Sequence, residues 1–204
     1  MPIWTPTEDW KGQDVFIIGG GKSLEHFDWN LLRNELTIGC NDAYQHGSDI
    51  CKLCVFGDGK WWAAHEEKLK KYHGVVFTNI GILRNSKIPW LWWMPRGSSG
   101  LYRDCLGWSS TGNIAVNLAV LLGAKRIFLL GFDMHLTKGR ANWHTNTLDK
   151  PISEVYGKFI SGFAKIKKDL ESKFPGTEIV NITDNSSLNM FSKIGVEEFW
   201  KGRK

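Results

Sequence analysis

The segment Asp14–Ile18, Asp-Val-Phe-Ile-Ile, runs directly into Gly19-Gly20-Gly21-Lys22-Ser23-Leu24. A short apolar run ending in glycines marks the edge of a buried parallel strand where it meets a tight turn. The pattern then repeats. Further short apolar segments fall at Leu36–Cys40, Leu53–Phe56, 75–77, 127–130 and 179–182. Helical patterns lie between several of them. Residues 59–72 form an amphipathic stretch with lysines at its end, and 111–122 are apolar almost all round, as a buried helix requires. Val155, Phe159, Phe163, Ile166 and Leu170 recur at three-to-four spacing over a long helix that stops before Pro175-Gly176. This alternation predicts an α/β fold, a Rossmann-like, mostly parallel sheet flanked by helices.

The chain of 204 residues is the size of one domain, so residues 1–204 are read as a single nucleotide-binding unit. One stretch, 80–108, breaks the alternation. It lacks periodicity and carries Pro89-Trp90-Leu91-Trp92-Trp93-Met94-Pro95-Arg96 followed by Gly97-Ser98-Ser99-Gly100. Long irregular segments in compact domains are often lids or binding loops, so this one is expected to be a tryptophan-rich lid or acceptor-binding insertion, with a hydrophobic plug as the alternative. No internal repeat or low-complexity segment occurs.

Composition narrows the function. Hydrophobic residues at 42% and charged residues at 23% match a soluble globular chain and exclude a disordered one. No run approaches the roughly 20 apolar residues that span a bilayer, and the first residues lack a leader pattern. A cytoplasmic protein without a membrane span is expected. Net charge is +5, which suits an anionic partner. Eleven tryptophans point to a thick aromatic core, a stacking site or an interface, including one between copies of the chain. The four cysteines are no disulfide scaffold. Cys51-x-x-Cys54 has no second pair to complete a structural zinc site, and in a strand the two would point to opposite faces, so both are read as core. His65, Glu66 and Glu67 are read as a solvated helix face, and the tail Lys201-Gly202-Arg203-Lys204 as frayed.

Open α/β sheets bind ligands beyond the carboxyl ends of their strands. Here those ends carry Gly19, Gly20, Gly21 and Ser23; Asn41; Asp58; and Gly131-Phe132-Asp133, while Ser110, Thr111 and Gly112 open the buried helix. The glycine turn is neither a Walker loop, which needs glycine at position 16, nor the dinucleotide fingerprint, which needs glycine or alanine at position 24. What remains is a Cβ-free turn that lets backbone amides approach a phosphate or nucleoside. Asp58 could bind a ribose hydroxyl or a metal, or cap the next helix, the commoner role.

These motifs, in order, resemble those of the bacterial lipooligosaccharide sialyltransferases, the flagellin-modifying Maf glycosyltransferases and the 6-hydroxymethylpterin diphosphokinase-like proteins. Gly19-Gly20-Gly21-Lys22-Ser23-Leu24 is similar to their G-x-G-x-S-L turn, Cys40-Asn41 to their Cys-Asn, and Ser110-Thr111-Gly112 to their Thr-Ser-Gly turn. Leu130-Gly131-Phe132-Asp133 and Asn185-Ser186-Ser187-Leu188 resemble their later strand ends. The resemblance implies a transferase using a nucleotide-sugar donor, CMP-, UDP- or GDP-linked, with the glycine turn, Asn41 and the Ser110–Gly112 turn holding the nucleotide. It implies a histidine general base at the position of His144. An imidazole there could take a proton from an acceptor hydroxyl near neutral pH. His135 is the rival base, and Asp133 completes the catalytic candidates. The family's leaving-group tyrosines have no counterpart between Asp133 and His144, where Lys138 and Arg140 stand instead and could neutralise a leaving phosphate.

For glycosyl transfer no metal is expected. The acceptor is expected to be a carbohydrate or a nucleic acid. Two alternatives remain: a magnesium-dependent diphosphokinase with Asp58 and Asp133 as ligands, and a nucleic-acid binding or modifying protein whose tryptophans stack bases.

Overall fold

The computed structural model describes residues 2–144 and 154–203. Eight strands form one sheet: β1 (Asp14–Ile18), β2 (Leu36–Cys40), β3 (Leu53–Phe56), β4 (Val75–Thr78), β5 (Leu91–Trp93), β6 (Arg126–Leu130), β7 (Glu178–Asn181) and β8 (Ser192–Lys193). Their order is β5-β4-β3-β2-β1-β6-β7-β8, and every pairing is parallel. The chain winds outward from β1 to β5, then crosses back to lay β6 against the other side of β1. The reversal between β1 and β6 opens a crevice at the carboxyl edge.

Among the described residues four α-helices cover the sheet: α1 (Gly59–Leu69), α2 (Thr111–Leu121), α3 (Glu154–Lys173) and α4 (Val196–Lys201). Side chains alternate along each strand, so Val15 and Ile17 join the core under α2 and α3, while Phe16 and Ile18 join the core under α1 and α4. A two-sided sheet of this kind needs strands apolar on both faces, as β1, β3 and β6 are. Helix α2 is apolar all round because it lies deepest; all but one of its residues are buried. Of its two asparagines, Asn113 accepts from the Ser109 and Ser110 hydroxyls and Asn117 faces polar backbone. Asn117 Oδ1 accepts from Gly107 N at 2.9 Å and Tyr102 N at 3.1 Å, and its amide donates to Tyr102 O.

Four expectations change. Segment 80–108 supplies the edge strand β5 and the fully buried Met94, Leu101 and Leu106, so much of it is sheet and core. Asp169 on α3 ties it down by accepting from Leu101 N at 2.8 Å. His65 is not on a solvated face but buried at 4% exposure, bonded to the Tyr44 hydroxyl and stacked on Trp61, because its side of α1 packs onto the turn after β2. Arg203 is pinned rather than frayed: it bonds Asp14 and Glu35 and lies over the rings of Phe16 and Trp200. Lys204 lies outside the described residues. Cys51 and Cys54 are free, buried core thiols, but both lie in one cluster, because Cys51 precedes β3 and escapes strand alternation. Burial pushes the Cys51 thiol up to about 11.

All eleven tryptophans are buried or half-buried, which favours the aromatic-core reading over an open stacking platform. Among the described residues no helix is long and apolar enough to cross a membrane.

Candidate active site

The glycine turn is shaped by the neighbouring strand end. Gly19 N donates to Leu130 O and Gly21 N to Gly131 O, both at 2.8 Å. A Cβ on Gly19 would overlap the Gly131 carbonyl, and one on Gly21 would overlap the Asp133 carboxylate. The glycines therefore let the ends of β1 and β6 cross at contact distance, besides keeping the turn open. Ser23 does not cap a helix. Its amide and hydroxyl both donate to Asp133, at 2.9 and 2.6 Å, and Asp133 is buried at 3% exposure. The carboxylate thus clamps the turn from the next strand over.

Beyond this turn lies a cavity of about 180 Å³. Its walls include Gly19, Gly20 and Gly21, Asn41 from the end of β2, Ser110, Thr111 and Gly112 at the start of α2, and Asp133 beyond β6. Asn41 has a φ of 51°, a left-handed conformation that asparagine tolerates better than most residues. Its Oδ1 lies 3.4 Å from the Thr111 hydroxyl, which joins the end of β2 to the start of α2. Ser110 caps α2 by accepting from Asn113 N. Gly112 is small because the Phe132 ring fills the space where a Cβ would stand.

Other expected residues lie elsewhere. Asp58 caps α1, accepting from Lys60 N at 2.7 Å and Trp61 N at 3.0 Å, and does not line this cavity. Lys138 and Arg140 form a tight turn closed by paired Thr137–Arg140 backbone bonds; Arg140 pairs with Glu25 at 2.9 Å, and neither cation lines the cavity. His135 Nδ1 lies 2.9 Å from the Asp133 carbonyl and 3.4 Å from the Ser187 hydroxyl. No residue of 80–108 lines the cavity.

His144 sits two residues past Asn142, which does line the cavity and whose backbone bridges to Gly21. The bond from Trp143 N to Gly20 O, 3.0 Å, anchors this return strand to the glycine turn. The His144 Nε2 is 3.8 Å from Asp42 Oδ2, and its buried Nδ1 has no hydrogen-bond partner among the described residues. Burial holds the imidazole below its ordinary pKa; the Asp42 charge opposes this and His65 reinforces it. Neither His144 nor His135 lines the cavity; His144 stands beside it, and a neutral imidazole with an unengaged nitrogen is the form a general base needs.

Sequence reasoning missed three residues here. Asn142 reaches the cavity through a return of the chain that no motif announces. Tyr156, from the first turn of α3, supplies a phenol on the cavity wall, raised in pKa by burial and by the Asp133 charge. A tyrosine was sought before His144, whereas the fold brings one from beyond it. Asp42, next to Asn41, is buried at the centre of a polar cluster.

The fold is that of the sialyltransferase-like and Maf-like glycosyltransferases. The structure is similar to a Maf glycosyltransferase from Magnetospirillum magneticum AMB-1, with a TM-score of 0.65 and 11% identity over 98% of this chain. The chain spans only 37% of that protein's length. It is also similar to the sialyltransferase CstII from Campylobacter jejuni, solved with the substrate analogue cytidine-5′-monophosphate, at a TM-score of 0.55 and 14% identity over 90% of this chain and 85% of that one. No protein-family model and no curated protein matches the sequence.

Proposed function

We propose that the protein is a glycosyltransferase that takes a nucleotide-activated sugar and transfers the sugar to an acceptor hydroxyl. The observation that carries this reading is the convergence of the glycine turn, Asn41 and the amino end of α2 on one cavity at the switch point of a parallel sheet. Backbone amides at the start of α2 suit the phosphate of the donor, and Asn41 suits a base or ribose, offering a donor and an acceptor. His144 is the general base. Tyr156 is a group on the cavity wall able to hydrogen-bond the departing phosphate oxygen, a role for which the sequence offered Lys138 or Arg140. Asp133 holds the turn in shape through Ser23. The likeness to two glycosyltransferases of the same fold supports the reaction class.

The diphosphokinase reading is weaker, because its metal would need Asp58 beside Asp133, and Asp58 is engaged at the cap of α1 outside the cavity.

Thermal shift against CMP, UDP and GDP, each with and without magnesium, tests the reading. A stabilising shift with one of them, and cleavage of the matching sugar nucleotide that His144→Ala abolishes while the shift persists, is the expected result. A shift with ATP and magnesium alone would move the assignment to diphosphate transfer. No shift with any nucleotide would overturn nucleotide binding altogether.

A further inference from the structure

The turn after β2 buries a carboxylate that the transfer reading leaves idle. Asp42 Oδ2 accepts from Trp61 Nε1 at 2.9 Å, and Oδ1 accepts from the Gln45 amide. Two imidazoles face the same carboxylate: His65 Nε2 stands 3.8 Å from Oδ1, and His144 Nε2 stands 3.8 Å from Oδ2. His65 is held from behind, its Nδ1 lying 2.8 Å from the Tyr44 hydroxyl and its ring stacked 4.3 Å over Trp61. With Tyr44 donating to Nδ1, His65 turns an N–H toward Asp42. His144 has no such support among the described residues, where its Nδ1 finds no partner.

We propose that Asp42 is the positioning carboxylate of His144, keeping the proton on Nε2 and leaving Nδ1 as the atom that receives the acceptor's proton. The inference rests on the glycosyl-transfer reading. In the step it serves, the acceptor O–H proton moves to His144 Nδ1. The acceptor oxygen forms its bond to the anomeric carbon of the donor. The bond from that carbon to the phosphate oxygen breaks, and its electron pair leaves with the nucleotide. The positive charge that appears on His144 then faces the Asp42 carboxylate. A separation of 3.8 Å is ion-pair distance, longer than a hydrogen bond, and such contacts tighten when the charge develops.

The groups facing His144 come from two elements. The turn after β2 brings Asp42 and also His46, whose ring packs on Trp143. Helix α1 brings His65, itself influenced by Lys68. Among the described residues facing His144, Asp42 alone carries opposite charge to an imidazolium. Without it the base would be a buried imidazole with two imidazole neighbours and nothing to accept its charge.

Imidazole titration by NMR reads the pairing directly. The sequence has six histidines, and His144→Gln assigns the resonance by its loss. Asp42→Asn is expected to lower the His144 midpoint by about one pH unit, and Asp42→Glu to restore it toward the parent value. Nitrogen shifts of the neutral parent ring should report the Nε2–H tautomer. An unmoved midpoint, or the Nδ1–H tautomer, overturns the proposal. Release of CMP, UDP or GDP from the matching sugar nucleotide gives the second reading. In Asp42→Asn, kcat should fall roughly 10–100-fold with KM little changed, and the acid limb should follow the titration downward. A loss of melting temperature with an unmoved limb would make Asp42 merely structural and refute the role. Absence of turnover in the parent with all three donors refutes the transfer reading, while the titration still decides the pairing. If Asp42→Asn does not fold, Trp61→Phe keeps the carboxylate but removes its anchor, and the His144 midpoint should still move.

Discussion

Removing the Asp133 side chain tests whether the glycine turn is held by the next strand over. Asp133→Ala deletes both acceptors of Ser23, the amide bond at 2.9 Å and the hydroxyl bond at 2.6 Å. Bonds to a charged acceptor contribute roughly 1.5–3 kcal/mol each, and because Ser23 is exposed the pair belongs at the low end, about 3 kcal/mol together. That is a large part of a total stability of about 5–15 kcal/mol. For a chain of this length it corresponds to a fall in Tm of about 6–12 °C. Urea denaturation followed by tryptophan fluorescence measures the loss. Ser23→Ala removes only the hydroxyl bond and should cost about 1.5 kcal/mol. The double variant should then be little worse than Asp133→Ala alone, a coupling of about 1.5 kcal/mol. Strict additivity, or a cost below about 1 kcal/mol for Asp133→Ala, would mean that the turn keeps its shape without the clamp.

Asn41→Gly frees a left-handed residue of its side chain, so stability should hold while affinity for the nucleotide that binds falls about tenfold, the equivalent of one hydrogen bond, as measured by calorimetry. For Asp169, burial raises the carboxyl pKa, but the Leu101 amide and the lysines at 165 and 173 outweigh it and leave the folded value below the ordinary 3.8. Its stabilisation is therefore present at neutral pH and is lost as pH falls from that ordinary value through the folded one. Asp169→Asn should lose about 2 kcal/mol at pH 7, and the gap to the parent should close in urea titrations toward pH 3. Arg203→Ala removes partly exposed pairs with Asp14 and Glu35 and should cost about 1 kcal/mol in the same assay; no change would mean that the tail is held by Phe199 and Trp200 alone.

The strands of the inner sheet were legible because a buried parallel strand needs apolar residues on both faces and little else does, as in Asp14–Ile18 and Leu53–Phe56. Strand β5 was hidden among prolines and tryptophans: three residues at a sheet edge need no long apolar run. Most of the cavity wall was legible too, because glycine, asparagine and hydroxyl residues at strand ends have few other reasons to recur. Asp58 was ambiguous, since one carboxylate at a helix start serves capping and ligand binding equally well in sequence terms, and Lys60 and Trp61 decide it. His65 misled because its helix neighbours are charged. Only the packing of α1 on Tyr44 and Asp42, more than 20 positions earlier for the tyrosine, makes it a buried group. Tyr156 and Asn142 reach the site by routes that depend on where the chain after β6 returns, which no local pattern encodes.

The central pairing of β1 with β6 joins Asp14 to Arg126 across 112 positions. During synthesis, β1 can find β2 soon after both emerge, but its other flank stays open until more than half of the polypeptide has followed. For that interval Val15, Phe16, Ile17 and Ile18 present an apolar strand with unsatisfied amides and carbonyls, a surface that invites pairing with another nascent chain. The junction that makes the crevice is also the slow, non-local event of folding. Ligand binding can begin only once it is complete, so the earliest appearance of nucleotide affinity during refolding marks the closing of that seam.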